Sequence, residues 1–589
     1  MSNAVLWSDE MVRIDPQGGG PLDGEASGVE ASPVRLRAAR NETVSFQVHV
    51  PLRSRGDVAS VTPGTLRGPG KAGLGPGDCE VHVEWCHRLD GRWWPDALIP
   101  QGFSGGSHPR LRADMGLPAS TRLAGFWVDV FVPPDARPGR YAGIFKVRSG
   151  PRREDLPVEL EVLSGRLPSE PALDVSMNNY ADGISAGWPE LKKMSGRAAA
   201  EKYLRIERGV FRAAHDHRAF LHYMPYTHAG FIHAGFAPPL AGEGAGKRVA
   251  DWSGWDRHFG PYFDGSAFRG TRRGPTPVRR FYLPLNLCWP ADFLKFGQAG
   301  YAAEWRAVGR DMVGHFRRRG WTRTCFDMFL NHKQRFRFFP WDCEEARFLP
   351  DNDLHRYVRK LWEGTFDWPS ARPVKFKYTL GTTWTYDQDI RSDLAEFIDV
   401  FIANTNGPAE HARCLPGLHR AGRQVWSCLN TASSQVGHPS AAAVQPLLIW
   451  LRDLDGFMPR WASMAGWGGD PWHDLPEKGA ATFMYPGGPL GSEETFPSVR
   501  LKVLRNSLQT VDALQASVER SGGSKSRLKA RVDGLLGRRL GAPARKMRSA
   551  ATGRKARDWG SEDRAQVGWG GADARRWAAL RDFARDSIS

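Results

Sequence analysis

Acidic residues are concentrated in the segment Trp341-Asp342-Cys343-Glu344-Glu345, which follows an apolar run ending at Leu330. Carboxylates this close together repel one another, so the pKa of at least one rises and that group keeps its proton near neutral pH. A protonated carboxyl group beside an ionised one is suited to general acid catalysis. The same residues also fit a solvated acidic loop that precedes a helix, and the segment alone leaves both interpretations open.

Successive side chains on a regular strand point to opposite faces of the sheet. Glu344 and Glu345 therefore reach one substrate only where the backbone leaves the strand. The turn at Pro340 and the boundary at Pro350-Asp351 allow this.

Aromatic residues form a second candidate set. The chain contains 23 Trp residues, and many lie beside Gly, Asp or Pro rather than inside apolar runs. An indole covers the apolar face of a sugar ring while nearby polar groups bind its hydroxyls. We therefore predict sugar-binding residues near the ends of predicted strands, and packing of one loop against another is the alternative for each. The candidates are Trp384, Tyr386, Trp461, Trp467 and Tyr485, with Asn331 and Asn406 as hydrogen-bond partners.

A metal site is the third possibility, because imidazole and carboxylate groups suit zinc or manganese. The candidate ligands are His215-Asp216-His217, His228 and His233. His215 and His217 are two positions apart at the end of a predicted helix, where they face different directions. The seven Cys residues form no C-x-x-C pair and no zinc-type spacing, which predicts free thiols. We expect no metal and no other cofactor.

The net charge of +17 is concentrated near the end of the chain, where thirteen Lys or Arg residues and only one acid, Asp533, lie between Arg520 and Arg557. This stretch matches no nucleic-acid docking motif and carries no interleaved aromatic residues, so we expect no specific nucleic-acid partner. An anionic glycan, cell-wall polymer or membrane surface is a possible electrostatic partner, with binding that weakens in salt.

The hydropathy of the chain predicts neither a signal peptide nor a membrane span. The first residues lack the basic and apolar regions of a signal peptide, and no apolar run approaches the roughly 18–20 residues of a membrane span. The sequence predicts a soluble protein, cytoplasmic as it stands and secreted if a leader has been removed.

Residues 1–165 show short alternating apolar runs separated by Gly, Pro and Asp clusters, which predicts an antiparallel β-sandwich domain. In one run Val44, Phe46, Val48 and Val50 share a face, and residues 126–132 alternate in the same way. The turn-forming residues 133–141 then predict a hairpin into a strand at 144–147.

Residues 166–515 alternate between short apolar strands and amphipathic helices, which favours a (β/α)8 TIM barrel. Residues 516–589 are Gly-, Ala- and Arg-rich, and we expect a basic tail that is partly helical or disordered, with a helix at 574–585. The predicted barrel helices are 198–215, 302–319 and 354–362, and the predicted strands are 281–285, 323–330, 374–380, 400–403 and 425–429.

Several segments carry a resemblance to a known family. They are Arg37-Ala38-Ala39-Arg40-Asn41-Glu42, Trp127-Val128-Asp129-Val130, Phe281-Tyr282-Leu283-Pro284 and Ala481-Thr482-Phe483-Met484-Tyr485-Pro486-Gly487-Gly488. In this order they resemble glycoside hydrolase family 123, over about residues 40–515. The resemblance implies a β-sandwich followed by a barrel, with an adjacent Asp-Glu pair after the fourth barrel strand. Here that place holds Glu344-Glu345, and a shift of one residue would also bring Asp342 into it.

The resemblance further implies removal of a terminal β-linked N-acetylhexosamine, of the N-acetylgalactosamine type, by a retaining, substrate-assisted mechanism. Glu345 is then the general acid, and Glu344 orients the acetamido group whose oxygen attacks the anomeric carbon. The partner would be a glycan or glycoconjugate, with galacto and gluco configurations both open. The alternative is a carbohydrate-binding protein that has kept the scaffold without the chemistry.

Overall fold

The computed structural model describes most of the chain, apart from several loops and part of the C-terminal region. The described residues are 4–18, 20–22, 28–53, 57–89, 91–103, 121–180, 183–226, 231–330, 349–366, 374–382, 397–404, 415–428, 439–459, 471–472, 482–522, 525–537 and 574–589.

The N-terminal part consists of two packed sheets, as its alternating sequence predicts. Its strands are β1 (Leu6–Asp9), β2 (Ile14–Asp15), β3 (Gly20–Pro21), β4 (Val29–Glu30), β5 (Val34–Arg40), β6 (Glu42–Pro51), β7 (Ala59–Thr62), β8 (Leu66–Arg67), β9 (Gly73–Leu74), β10 (Cys79–Leu89), β11 (Arg92–Pro100), β12 (Leu123–Val132), β13 (Gly139–Ser149) and β14 (Arg152–Arg166). One sheet has the order β11-β10-β12-β6-β1-β4, and the other has β5-β14-β13-β8-β9 with β7 paired to β13.

The core between the two sheets is built from the alternating residues of β6 and β12. Val44, Phe46, Val48 and Val50 are all buried there, which confirms their shared face. The predicted hairpin at 133–141 is wrong, because β12 and β13 belong to different sheets and that turn crosses between them. Strand β13 instead pairs with β14. Alternation shows only that both strands face a core, not that they pair with each other.

The second part contains an eight-stranded parallel sheet surrounded by helices. The strands of this second part are β15 (Asp174–Tyr180), β16 (Phe220–Met224), β17 (Leu240–Ala241), β18 (Arg248–Val249), β19 (Arg280–Tyr282), β20 (Cys325–Phe329), β21 (Lys375–Thr382), β22 (Val400–Asn404), β23 (Gln424–Cys428), β24 (Gly456–Met458), β25 (Met484–Pro486) and β26 (Thr495–Pro497). The pairs β17-β18 and β25-β26 form separate two-stranded sheets. Its helices, with the last two of the chain, are α1 (Gly183–Gly187), α2 (Gly196–Asp216), α3 (Ser253–Phe263), α4 (Ala299–Arg318), α5 (Leu349–Phe366), α6 (Leu415–Arg420), α7 (Pro439–Leu451), α8 (Val499–Ser521), α9 (Lys525–Leu536) and α10 (Ala574–Asp586). The predicted strands and helices of this part are confirmed, with ends shifted by a few residues.

The parallel sheet has the order β16-β15-β24-β23-β22-β21-β20-β19. It is curled, because Arg280 on the edge strand β19 hydrogen-bonds Asp174 on β15 at 2.7 Å, far along the sheet order. The two edge strands also meet through side chains, since His222 of β16 stacks on Tyr282 of β19. No backbone pairing joins β16 to β19 within the described residues, so the closed TIM barrel expected from the sequence is not observed.

Helix α8 fixes the sandwich against the parallel sheet through buried ion pairs. Lys502 and Arg505 contact Asp129 of β12 at 2.7 and 2.9 Å. Near the start of the same helix, Arg500 contacts Asp96 of β11 at 2.8 Å. All five side chains are at most 5% exposed. The two parts of the chain therefore share an interface whose charged side chains are buried and paired.

The C-terminal helix α10 packs against the sandwich, and its bounds agree with the helix predicted at 574–585. Arg581 contacts Asp9 and Glu10, and Arg585 forms a two-pronged pair with Glu42, with its Nη2 2.8 Å from Oε1.

Among the described residues, no helix combines the length and apolar character that a membrane span requires.

We expect Arg585→Ala to lower the free energy of unfolding by roughly 3 kcal/mol, because it leaves the Glu42 carboxylate buried without its partner. Urea unfolding followed by tryptophan fluorescence measures this effect. Arg575→Ala on the same helix is the matched control, because Arg575 is exposed. Equal urea midpoints for Arg585→Ala and Arg575→Ala would show that the Arg585–Glu42 pair does not stabilise the folded protein.

Candidate active site

The candidate site lies at the edge of the parallel sheet where the strands have their carboxyl ends. Eight of the nine predicted site residues fall in segments that directly follow such an end. Asn331, Glu344 and Glu345 follow β20, Trp384 and Tyr386 follow β21, Asn406 follows β22, and Trp461 and Trp467 follow β24. All eight lie outside the described residues. Each of these segments begins at the carboxyl edge, which is the edge where parallel α/β proteins bind ligands, and the positions of the eight residues themselves stay a prediction.

Below this edge, the inner face of the curled sheet carries a buried charged cluster. Arg280 lies at its centre, with Nε donating to Asp174 at 2.7 Å and Nη1 donating to Asp327 at 2.9 Å. Its Nη2 donates to Gln424, and the guanidinium carbon lies 4.6 Å from the ring centroid of Trp426. Each guanidinium nitrogen of Arg280 therefore already has a protein acceptor. The cluster joins four strands and supports the site from beneath.

The two carboxyl groups of this cluster differ in their electrostatics. Burial raises the pKa of Asp327, and Arg280 opposes that rise without cancelling it. Burial also opposes ionisation of Asp174, but Arg280 and Arg279 outweigh it and lower the pKa of that carboxyl group. Arg279 contacts Asp174 at 2.6 Å, which gives Asp174 a second cation. Asp174 is therefore the fixed anion of the cluster.

A column of aromatic rings lies above the charged cluster. His222 stacks on Tyr282 with centroids 3.3 Å apart, and Tyr282 stacks on Phe329 at 5.6 Å. The Nδ1 atom of His222 shares a hydrogen bond of 3.0 Å with the Ser176 hydroxyl. Burial, and then the charge of Arg280, lower the pKa of His222 well below its ordinary range. His222 is therefore a neutral ring that supports Tyr282.

The loops that follow β16 and β19 are held in place by hydrogen bonds. Tyr226 donates from its hydroxyl to the carbonyl oxygen of Phe329, the last residue of β20. Tyr301 of α4 donates to the carbonyl oxygen of Leu287 at 2.9 Å. Glu304, also on α4, accepts from Lys295 at 2.8 Å. These bonds hold two of the loops that border the carboxyl edge.

Tyr485, predicted as a sugar-binding residue, is instead a residue of the interface between the sandwich and the sheet. Its side chain is fully buried, and its hydroxyl donates to Asp96 at 2.5 Å. Its ring stacks on His87 of β10, with centroids 5.7 Å apart. No face of this ring is open to a sugar, so the prediction for Tyr485 is wrong.

The histidines considered as metal ligands make structural contacts. His215 Nε2 is 3.1 Å from the carbonyl oxygen of Gly274, and its ring stacks on Phe268. His217 Nδ1 donates to the carbonyl oxygen of Ala213 at 2.6 Å. His228 lies outside the described residues. In the part of the chain that the structure describes, no group of three His, Cys, Asp or Glu side chains is placed to hold a metal ion.

Three polar residues of the inner face were not predicted from the sequence. Arg280, Asp327 and His222 are charged or polar residues within short apolar strands. A polar group in such a strand is costly to bury unless it is paired, so each was a recognisable signal of an interior network. Their pairing partners could not be identified, because they come from other strands.

The fold defined by these elements is a two-sheet sandwich joined to a curled parallel α/β sheet. The chain is similar along its whole length to a family 123 glycoside hydrolase from Clostridium perfringens, with a TM-score of 0.63 and 14% identity, covering 99% of both chains. This confirms the predicted resemblance at the level of the fold.

Two further solved structures share less of the fold. A putative alpha-galactosidase from Bacteroides fragilis has a TM-score of 0.26 and 9% identity, covering 82% of this chain and 77% of that one. A beta-glucuronidase from Bacteroides uniformis has a TM-score of 0.30 and 9% identity, covering 84% and 56%. The sequence matches no protein-family model and no curated protein.

Proposed function

We propose that this protein is a glycoside hydrolase whose active site lies at the carboxyl edge of the parallel sheet. The observation that carries the proposal is the position of Glu344 and Glu345 in the segment that directly follows β20. Six further predicted residues follow the ends of β20, β21, β22 and β24, and this order along the chain supports a site shared by the carboxyl pair and the sugar-binding candidates. The fold shared with a family 123 glycoside hydrolase supports the same assignment.

The proposed substrate is a glycan or glycoconjugate with a terminal β-linked N-acetylhexosamine of the N-acetylgalactosamine type. Glu345 donates a proton to the leaving oxygen as general acid. Glu344 accepts a hydrogen bond from the acetamido N–H and orients the acetamido oxygen, which attacks the anomeric carbon. Water then opens the cyclic intermediate, so the configuration at the anomeric carbon is retained. In this mechanism no side chain acts as nucleophile.

The scaffold for this mechanism would be a (β/α)8 barrel. The order of the eight strands lacks only a pairing of β16 with β19 to close the sheet. Since His222 and Tyr282 already bring these two strands together, we include closure at this position in the proposal. The basic region between Arg520 and Arg557 is proposed to bind anionic surfaces, which predicts binding that weakens as salt rises.

The proposal is tested with a panel of nitrophenyl glycosides incubated with the full chain. We expect release of nitrophenol from β-N-acetylgalactosaminide or β-N-acetylglucosaminide and none from the matching β-galactoside or β-glucoside, because only the former carry the acetamido oxygen. A thiazoline that mimics the cyclic intermediate should inhibit the release. Turnover of the plain glycosides alone would contradict substrate assistance, and sugar binding without any turnover would favour the non-catalytic alternative.

A further inference from the structure

A cavity of about 220 Å³ lies at the interface between the sandwich and the part of the chain that holds the parallel sheet. Residues of β10 and β12 line it from one side, and residues of α2, α8 and β26 line it from the other. Helix α2 ends at Asp216 and β16 begins at Phe220, so this end of α2 lies where the strands of the sheet begin. The cavity is therefore on the opposite side of the sheet from the carboxyl edge.

Three residues that line the cavity carry a buried polar atom without a hydrogen-bond partner among the described residues. These atoms are Nδ1 of His82 on β10, Nε2 of His217 at the end of α2 and Oγ1 of Thr495 on β26. His82 and His217 are only 6% and 5% exposed. Buried polar groups in proteins are nearly always paired, so three exceptions around one cavity indicate that a molecule inside it pairs with them.

The protonation of the two histidines determines what they can bind. His217 Nδ1 donates to a carbonyl oxygen, so this nitrogen carries the hydrogen. Burial, and then the charge of Lys502, lower the pKa of His217 well below its ordinary range, so the ring is neutral and Nε2 is an acceptor. The same two causes lower the pKa of His82 to about 4, so its neutral ring offers one donor and one acceptor. A ligand with several hydroxyl groups matches this set, because each hydroxyl both donates and accepts.

The charged residues of the cavity balance one another. Lys502 contacts Asp129 at 2.7 Å and Glu80 at 3.4 Å, and Arg272 contacts Glu80 at 3.6 Å. Glu80 and Arg272 are 43% and 28% exposed, so this pair borders a side of the cavity that faces solvent. Since the two signs are equally represented, an uncharged ligand fits the cavity better than an ion. The acids are Asp78, Glu80, Asp129 and Asp216, and the bases are Arg212, Arg272, Lys502 and Arg505.

Gly209 leaves space at the wall that α2 contributes to the cavity. It lies in the interior of this helix, where glycine is destabilising relative to alanine. A methyl group at this position would meet no atom within 4 Å. A larger side chain at position 209 therefore has room to extend into the cavity, and this provides a way to block it.

We propose that the interface cavity is a second binding site, separate from the carboxyl edge, for an uncharged polyhydroxy compound of about the size of a monosaccharide. Its hydroxyl groups donate to His217 and pair with His82 and Thr495. Phe131 and Pro497 supply apolar surface for its C–H groups. A ligand in this position contacts both parts of the chain at once, so its binding stabilises the folded protein. The inference does not depend on the proposed hydrolase function.

The test titrates the full chain with myo-inositol, xylitol and glucose by calorimetry and measures Tm at each ligand concentration. We expect saturable binding of at least one of the three, with a Tm that rises with its concentration. Gly209→Leu should abolish this binding, because its side chain occupies the cavity. Gly209→Ala is the matched control, since it adds only one methyl group and should retain the binding.

A second pair of variants tests the hydrogen bonds without changing the volume of the cavity. Thr495→Val keeps the shape of the side chain and should weaken binding about 3- to 10-fold, the effect of one neutral hydrogen bond. Thr482 also has a buried hydroxyl without a partner among the described residues, but it does not line this cavity. Thr482→Val should therefore leave binding unchanged.

The outcomes separate this inference from the proposed function. Unchanged binding in both Gly209→Leu and Thr495→Val would overturn the inference, because the ligand would then bind elsewhere. No saturable binding of any of the three compounds would overturn it too, because the cavity would then hold only water. Hydrolysis of nitrophenyl glycosides should be unchanged in Gly209→Leu, and a joint loss of hydrolysis and binding would refute a site separate from the carboxyl edge. A wild type that hydrolyses nothing but shows the expected binding pattern would support the inference while refuting the hydrolase proposal.

Discussion

Glu345→Gln should lower kcat/KM on a β-N-acetylhexosaminide by about 10²- to 10⁴-fold, the usual contribution of a positioned general acid. The amide keeps the size of the side chain but has no acidic proton for the leaving oxygen. The loss should depend on the leaving group, because a nitrophenolate departs without protonation far more readily than an alkoxide. Initial rates on a nitrophenyl glycoside and on an alkyl glycoside of the same sugar measure this dependence.

Two variants serve as references for Glu345→Gln. Glu344→Gln should slow both substrates by a similar factor, because the acetamido group must be oriented whichever group leaves. Glu159→Gln, at a half-exposed position on the sandwich, should leave kcat/KM unchanged. Full activity in Glu345→Gln would refute the assignment of the acid. A loss of kcat/KM in Glu345→Gln that is the same for both leaving groups would instead indicate that Glu345 orients the acetamido group.

The sequence predicted the elements of this fold better than their arrangement. Periodicity is a local property, so the helix expected at 302–319 is found at Ala299–Arg318. Pairing between strands is not local, and the hairpin expected at 133–141 connects two different sheets. Closure of the parallel sheet depends in the same way on strands far apart in the chain.

The pairing partners of residues near the strand ends could not be predicted from the sequence. An aromatic residue near a strand end suggested a sugar-binding role for Tyr485, but its partner Asp96 lies 389 positions earlier in the chain. Arg280 and Asp327 are 47 positions apart and meet only because their strands are neighbours. The segments that follow predicted strands can be identified from the sequence, because each begins where a strand ends.

Asp129→Asn should lower the free energy of unfolding by about 3–5 kcal/mol, because it removes the carboxylate that pairs with two buried cations and leaves Lys502 only its longer contact to Glu80, at 3.4 Å. Lys502 lies 2.7 Å from Asp129, and Arg505 donates to both of its oxygens at 2.9 Å. The Ser45 hydroxyl donates to the same carboxylate at 2.6 Å. An amide at this position keeps the shape but removes the charge and one acceptor. Urea unfolding at neutral pH, followed by tryptophan fluorescence, measures the loss.

The pH dependence of this effect has a definite sign. Burial opposes ionisation of Asp129, but Arg505 and Lys502 outweigh it and hold its pKa well below the ordinary value of 3.8. A carboxyl group with a lowered pKa stabilises the folded state fully above its unfolded pKa, and that stabilisation is lost as the pH falls towards its folded pKa. The difference between wild type and Asp129→Asn should therefore be constant near neutral pH and shrink in acid, below about pH 4.

An exposed ion pair of the same length shows how much burial contributes. Lys146 and Asp155 are also 2.7 Å apart, but their side chains are 66% and 54% exposed. Asp155→Asn should therefore change the free energy of unfolding by less than about 1 kcal/mol, because water screens the pair. Equal effects of Asp129→Asn and Asp155→Asn would show that the pairs of α8 do not hold the sandwich against the sheet. A large effect of Asp129→Asn alone would locate that stability in the buried interface.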